Sequence, residues 1–134
     1  MLSVAPRHAD LVGVNFTIKG GALGTNLASG TAEAMRERVG WVREAAGTRF
    51  PELELNLTSQ AVVTDDRAAV AARFAGRFGL PIDEAPASPL ILVGSVEQIG
   101  EDLQARREAY GFSYIVFTGH EAALAPLVAR LSGT

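Results

Sequence analysis

The chain has 134 residues, a net charge of −3 and no cysteine, and 48% of its residues are hydrophobic and 20% charged. This length suits a single domain, and the composition excludes a disordered chain, a disulfide framework, a thiolate zinc site and a cysteine nucleophile. The acidic balance argues against nucleic-acid binding. The chain has neither a membrane-spanning apolar run nor a signal-peptide pattern, so we expect a cytoplasmic protein.

The first predicted strand covers residues 9–16, whose nearly continuous apolar run is typical of a strand buried on both faces. A loop with four glycines follows over residues 17–30, and loops of this length often carry function. A helix is then predicted over residues 31–46, because Thr31 is a suitable N-cap and Gly47 a suitable stop. Its apolar stripe consists of Met35, Val39, Val42 and Ala46.

A second strand is predicted over residues 53–63, where apolar and polar residues alternate. Three polar side chains fall on one face of this strand, namely Asn56, Thr58 and Gln60. In a barrel this face could point inward and hydrogen-bond a ligand, whereas on an edge strand it could be the solvated side. The alternation alone leaves both interpretations open.

The second predicted helix begins at the acidic pair Asp65 and Asp66, which suits the positive end of a helix dipole. Residues 79–81 end this helix, and the three prolines within residues 81–89 predict a connector. The apolar stripe of the helix repeats every four residues, at Val70, Phe74 and Phe78.

The last third of the chain begins with a short apolar run over residues 90–93. Ser95 and Gln98 then form a capping box that starts a helix. The stripe of this helix includes the stem of Arg106, whose charged head we expect on the solvated side. A β-branched and aromatic strand over 112–117 and an amphipathic helix over 121–131 complete the elements.

Four strands thus alternate with four helices, which predicts an α/β fold with a parallel sheet, either a doubly wound sandwich or part of a (βα)8 barrel. In both architectures ligands bind at the carboxyl ends of the strands. The candidate binding residues near these ends are Asn15, Lys19, Thr118 and His120. Lys19 is the single lysine beside eleven arginines, and it is either a point charge for a phosphate or carboxylate or an ordinary loop lysine.

Other chemical signals in the chain are weak. Gly94 and Ser95 could offer free N–H groups to an anion, but Ser95 could equally cap its own helix. His8 and His120 stand alone in the sequence, so no metal site is predicted. No dinucleotide fingerprint and no P-loop motif are present.

Four segments carry a family resemblance: Arg7 to Val14, Thr31 to Gly47 with Val39 to Ala46 inside it, Leu92 to Ile99, and Tyr110 to Phe117. Together they resemble the luciferase-like monooxygenases, and most closely the F420-dependent oxidoreductase branch of that family. The last segment resembles the final barrel strand of the family, and the helix after it resembles the C-terminal helix. The resemblance is collinear over nearly the whole chain.

The family folds as a (βα)8 barrel about twice as long as this chain or more, so the resemblance implies the last three βα units of an incomplete barrel. The barrel strands would lie near residues 9–16, 53–60 and 112–117. Residues 90–93 would be an extended lead-in to a helix, and residues 64–89 an insertion or connector within one partial-barrel domain that takes up all 134 residues.

The resemblance also implies a function, that of an oxidoreductase with F420 or FMN as cofactor and a small molecule as substrate. Lys19 resembles a cationic loop residue that some F420-dependent relatives direct at an anionic substrate. The first five barrel strands of the family have no counterpart in these 134 residues, so no catalytic residue is assigned. The alternative is a non-catalytic α/β module that self-associates or binds a partner.

Three strands of an opened barrel leave two bare edges and an uncovered inner face, which in barrels is bulky and apolar. We therefore predict that the chain buries this surface. It would do so as a homo-oligomer, against a complementing chain that carries the first five strands, or by rearranging into an open sheet with helices on both sides.

Overall fold

The computed structural model describes residues 8–14 and 30–132, apart from the side chain of Phe78. Within this part, four strands alternate with four helices, as the sequence predicts. In chain order the elements are β1 (Leu11–Gly13), α1 (Ala32–Ala46), β2 (Glu54–Val63), α2 (Arg67–Phe78), β3 (Ile91–Gly94), α3 (Val96–Tyr110), β4 (Phe112–Thr118) and α4 (Glu121–Leu131). Two short 3₁₀ helices, Gly47–Glu52 and Ala85–Ala87, follow α1 and α2.

Strand β2 is the centre of the sheet, and the other three strands all pair with it in parallel. The N–H groups of Glu54 and Gln60 donate to the carbonyls of Asp10 and Leu90, both at 2.8 Å. Successive peptide groups of a strand point to opposite edges, so these even-numbered residues bond to the same edge of β2. Strands β1 and β3 therefore lie one after the other along one edge, and β4 occupies the other. The described strands do not close into a barrel.

The prediction that residues 90–93 are only a lead-in to a helix is wrong, because Ile91–Gly94 pairs with Gln60–Val63 as strand β3. Two side chains hold the segment before β3 against the sheet. The Ser59 hydroxyl donates to the Pro89 carbonyl at 2.7 Å, and the Arg106 guanidinium donates to the same carbonyl at 3.3 Å. All four residues of β3 are buried, as expected for a parallel strand covered on both sides.

Helices cover both sides of the sheet, but unequally. Helix α1 packs Met35, Val39 and Val42 against the first half of the sheet, and α3 and α4 cover the second half on the same side. Helix α2 lies on the opposite side, where it packs against the ends of β2 and β3 through Val70, Ala71, Phe74 and Ala75. The first half of β2 has no described helix on that opposite side.

The predicted helix ends are confirmed at several positions. The Thr31 hydroxyl accepts the Ala34 N–H at 3.1 Å at the start of α1. Ser95 and Gln98 form the complete capping box of α3, with bonds of 2.9 and 3.2 Å. The Ser95 N–H is therefore bonded to the Gln98 side chain, which favours the capping interpretation over the anion site. Helices α2 and α3 end at glycines in the left-handed region, Gly79 and Gly111.

The head of Arg106 is not on the solvated side of α3, so that prediction is wrong. Arg106 is 6% exposed, and its guanidinium also donates to the carbonyls of Ser88, at 3.1 Å, and Ile91. Burial lowers the pKa of Arg106 to about 10, although the nearby Asp102 carboxylate acts in the opposite direction. The buried Arg106 side chain thus links α3 to the start of β3 by hydrogen bonds.

Candidate functional site

The sheet has one side that α1, α3 and α4 leave uncovered along the first part of β2. Alternate residues of three strands stand on this side, which we call the open face: Leu11, Asn56, Thr58, Gln60, Tyr114, Val116 and Thr118. The register between β2 and β4 pairs Asn56 with Tyr114, Thr58 with Val116 and Gln60 with Thr118. The residues between them in β2 are buried on the helix side, including Leu55, Leu57 and Ser59.

The open face is polar along its centre and apolar along its flanks. The central strand β2 contributes the polar side chains, Asn56, Thr58 and Gln60. The flanking strands contribute the apolar side chains Leu11, Tyr114 and Val116, which are 48%, 51% and 39% exposed. The expectation of a uniformly bulky, apolar inner face is therefore wrong for β2. The row lies on a central strand, so the edge-strand interpretation of it is wrong, and hydrogen bonding of the row to a ligand inside a barrel stays a prediction.

A tight turn at the carboxyl end of β4 borders the open face. The Gly119 N–H donates to the Glu121 carboxylate at 2.7 Å, and this bond lowers the pKa of Glu121. Gly119 has a φ of +95°, and a Cβ at this position would lie 2.6 Å from the Ala61 carbonyl oxygen. His120 is the one non-glycine residue with positive φ in the described part of the chain. The turn is held in an uncommon conformation beside the face, as is frequent at functional sites.

The predicted site residues divide into two groups. Thr118 ends β4 beside Gln60 on the open face, and the exposed His120 follows two residues later at the N-cap of α4, where its side chain makes no capping bond. These two candidates therefore lie at the same corner of the sheet. Asn15 and Lys19 lie outside the described residues, so their predicted roles stay predictions.

The open face can bind and orient a ligand, but it carries little acid–base chemistry. Its amide and hydroxyl groups donate and accept hydrogen bonds without exchanging protons near neutral pH. The Asn56 amide nitrogen donates to the Tyr114 carbonyl at 3.1 Å, which ties β2 to β4 and fixes the orientation of this amide. The open face thus presents fixed hydrogen-bonding groups, and no residue on it is assigned a catalytic role.

A groove of about 300 Å³ lies where α2 covers the end of β2. Val62, Val70 and Phe74 form its apolar part, and Arg73 and Arg77 complete the lining. Val62 follows Gln60 on the same side of β2, so the groove begins where the open face ends. The sequence carries a signal for it that the predictions above do not use, since each of these arginines directly precedes an aromatic residue of the α2 stripe.

A wider recess of about 900 Å³ lies between the first turns of α1 and the turn after α2. Three carboxylates line it, those of Glu33, Glu37 and Glu84. Residues 8–14 and 30–132 hold no group of three side chains that could bind a metal ion. In the same part of the chain, no helix has the length and apolarity to cross a membrane.

Two solved structures share the fold of this chain. Long-chain alkane monooxygenase (LadA) aligns with 96% of the chain at a TM-score of 0.56 and 12% identity. Monooxygenase RslO1 from Streptomyces bottropensis aligns with 98% of it at a TM-score of 0.51 and 14% identity. No protein-family model matches the chain, and no curated protein matches it by sequence.

These likenesses confirm the predicted fold class, an α/β fold with parallel strands that is similar to the fold of the two monooxygenases. The chain spans only 38% and 43% of the two monooxygenases, and its described strands form an open sheet. Both findings agree with the part of a barrel that the resemblance implies. At 12% and 14% identity the likeness shows the fold alone.

Proposed function

We propose that this chain forms the C-terminal βα units of a luciferase-like oxidoreductase barrel and that the open face is one wall of its ligand cavity. The observation that carries the proposal is the alignment of 96% of this chain with 38% of a monooxygenase. In barrels of this kind, ligands bind at the carboxyl ends of the strands, where the described Thr118 and His120 lie. The proposal includes roles in cofactor or substrate binding for both residues and for Asn15 and Lys19, and a cytoplasmic location.

The cofactor in this proposal is F420 or FMN, and the open face fits one side of a flat, partly polar ring system. Asn56, Thr58 and Gln60 offer hydrogen-bonding groups to the edge of a ring, and Tyr114 and Val116 offer apolar surface to its plane. When bound, such a cofactor supplies hydride chemistry, while the protein orients the substrate and excludes water. In this proposal the acid–base groups come from the first five strands of the barrel.

A fluorescence titration with FMN and F420 tests the proposed function. The chain would be titrated alone and after assembly with a polypeptide that carries the first five strands of such a barrel. We expect the assembled barrel to bind one of the two cofactors with a Kd below about 10 µM, and the chain alone to bind far more weakly. An assembled barrel that binds neither cofactor at tens of micromolar would favour the non-catalytic module.

The partner in this proposal is the remainder of the barrel, because the open face exposes apolar side chains that a closed barrel would cover. Leu11, Tyr114 and Val116 are all exposed on this face, and β4 has a single strand partner within the described residues. Such edges and faces invite further strand pairing. A second copy of this chain is the alternative occupant, and it corresponds to the self-associating module.

The mass measured by light scattering distinguishes a second copy of this chain from a complementing chain. We expect the chain alone to form a homo-oligomer, and the complementing chain to replace the second copy in a complex of one chain each. Val116→Arg, on the open face, should weaken both assemblies, whereas Val128→Arg, on α4, should not, although Val116 and Val128 are similarly exposed at 39% and 43%. A monomer that melts cooperatively and ignores the complementing chain would refute this proposal.

A further inference from the structure

The groove between α2 and the end of β2 combines an apolar floor with two cationic groups. On the floor, Val70 and Phe74 are 5% and 8% exposed, and Val62 is partly buried beside them. Arg73 and Arg77 are exposed and line the same groove. Apolar pockets with a few convergent polar groups are the usual form of small-molecule sites, and 300 Å³ is at the small end of their range.

The charges of α2 favour an anion in this groove. The helix has three arginines, and Arg67 is paired with the Asp102 carboxylate of α3 at 2.8 Å. Arg73 and Arg77 are four residues apart, which places them on one side of the helix, where like charges repel each other. An anion held by both guanidinium groups would lie close to two positive charges. The two positive charges are concentrated here although the whole chain carries a net charge of −3.

We infer that this groove binds a small amphiphilic anion. The head of the ligand is a carboxylate or a phosphate held by Arg73 and Arg77, because the planar guanidinium group matches the oxygen geometry of both. The tail is a short apolar chain that packs on Val62, Val70 and Phe74. The groove volume of about 300 Å³ is enough for a chain of several carbons.

This inference does not depend on the proposed oxidoreductase function. The described residues that line the groove all belong to β2 or α2, so the groove forms without a cofactor or a complementing strand. The test can therefore use the chain alone, and its failure leaves the cofactor titration of the assembled barrel unaffected. The reverse holds as well, since a barrel that binds no cofactor can still hold the anion.

Octanoate, octyl phosphate and octanol are suitable probes, because they share a tail and differ in the head. The titrations would be followed by amide NMR shifts of the labelled chain, which report the place of binding. We expect both anions to shift the amides around Val62 and along α2, with a Kd below about 1 mM. Octanol should bind at least about tenfold more weakly, and added salt should weaken the two anions.

The double variant Arg73→Gln/Arg77→Gln tests the cationic groups, and Arg107→Gln is its matched control. Arg107 is an exposed arginine near the end of α3 and does not line the groove. We expect the double variant to weaken octanoate binding by about tenfold and the control to leave it unchanged. If octanol binds as well as octanoate, if the double variant binds normally, or if no shift occurs near α2, both arginines are ordinary solvated groups and the inference is wrong.

Discussion

Replacement of Arg106 by Met tests how the buried guanidinium holds β3 in the sheet. Arg106 donates to the carbonyls of Ser88, Pro89 and Ile91. Ser88 and Pro89 precede β3, and Ile91 is its first residue. Met keeps an unbranched apolar stem of similar reach but has no donor. The substitution therefore removes the hydrogen bonds and leaves much of the packing in place.

The expected loss follows from the acceptors that remain. Pro89 keeps a donor, because the Ser59 hydroxyl bonds to its carbonyl at 2.7 Å. The Ser88 carbonyl also keeps a donor, the Ile91 N–H at 3.4 Å. The Ile91 carbonyl loses a charged donor, which costs about 1–3 kcal/mol for a buried group. Relief of the burial of a charge offsets part of this loss, as the lowered pKa of Arg106 indicates. We expect a net destabilisation of about 1–3 kcal/mol, or a Tm lower by roughly 5–10 °C.

Urea and thermal denaturation followed by far-UV circular dichroism would measure this loss. Arg107→Met is the matched control, because the neighbouring Arg107 is exposed, and its replacement should change the free energy of unfolding by less than about 0.5 kcal/mol. Ser59→Ala should cost about 1 kcal/mol, since Pro89 then keeps the Arg106 donor. Equal stabilities of the Arg106→Met and Arg107→Met variants would show that the guanidinium does not hold β3.

Two further predictions concern the turn after β4. Gly119→Ala should destabilise the chain by about 2–4 kcal/mol in urea unfolding, because the residue has a positive φ and its Cβ would clash with the Ala61 carbonyl oxygen. The control Gly40→Ala lies in open space within α1 and should stabilise the chain by about 0.5–1 kcal/mol. An unchanged Gly119→Ala variant would contradict this geometry. Glu121 has a lowered pKa, so its contribution to stability is complete at neutral pH and is lost as the pH falls through that lowered pKa. Glu121→Gln should therefore be less stable than the natural chain at pH 7, and the difference should shrink as the pH falls through the lowered pKa. A difference in stability that does not depend on pH would exclude this role.

Local signals in the sequence are sufficient for the element order and the helix ends. The Ser95–Gln98 capping box forms as predicted, and Gly79 and Gly111 end their helices in the left-handed region. Each of these features depends on residues only a few positions apart, so the sequence pattern contains the whole interaction. The alternating residues of β2 likewise predict which side chains share the open face.

Contacts between distant residues limit what the sequence can predict. The pairing of residues 90–93 as a strand depends on Ser59 of β2 and Arg106 of α3, which both hydrogen-bond to the Pro89 carbonyl just before the strand. The groove depends on Val62 of β2 meeting Arg73 and Arg77 of α2. No local sequence pattern encodes these contacts, because they result from the packing of the whole chain. The family resemblance supplied the barrel-like architecture but led to the wrong prediction for β3.

The central claim is that the open face forms a wall of the cofactor cavity of a completed barrel. Its most direct test is the FMN and F420 titration of the assembled barrel with Val116→Arg, on the open face, beside Val128→Arg, on α4. At protein concentrations where light scattering shows that even the weakened Val116→Arg barrel is assembled, we expect this variant to lose binding of the cofactor that the unmodified barrel binds. Val128→Arg should leave the Kd unchanged. Equal Kd values for the two variants, with both barrels shown to be assembled, would contradict the claim.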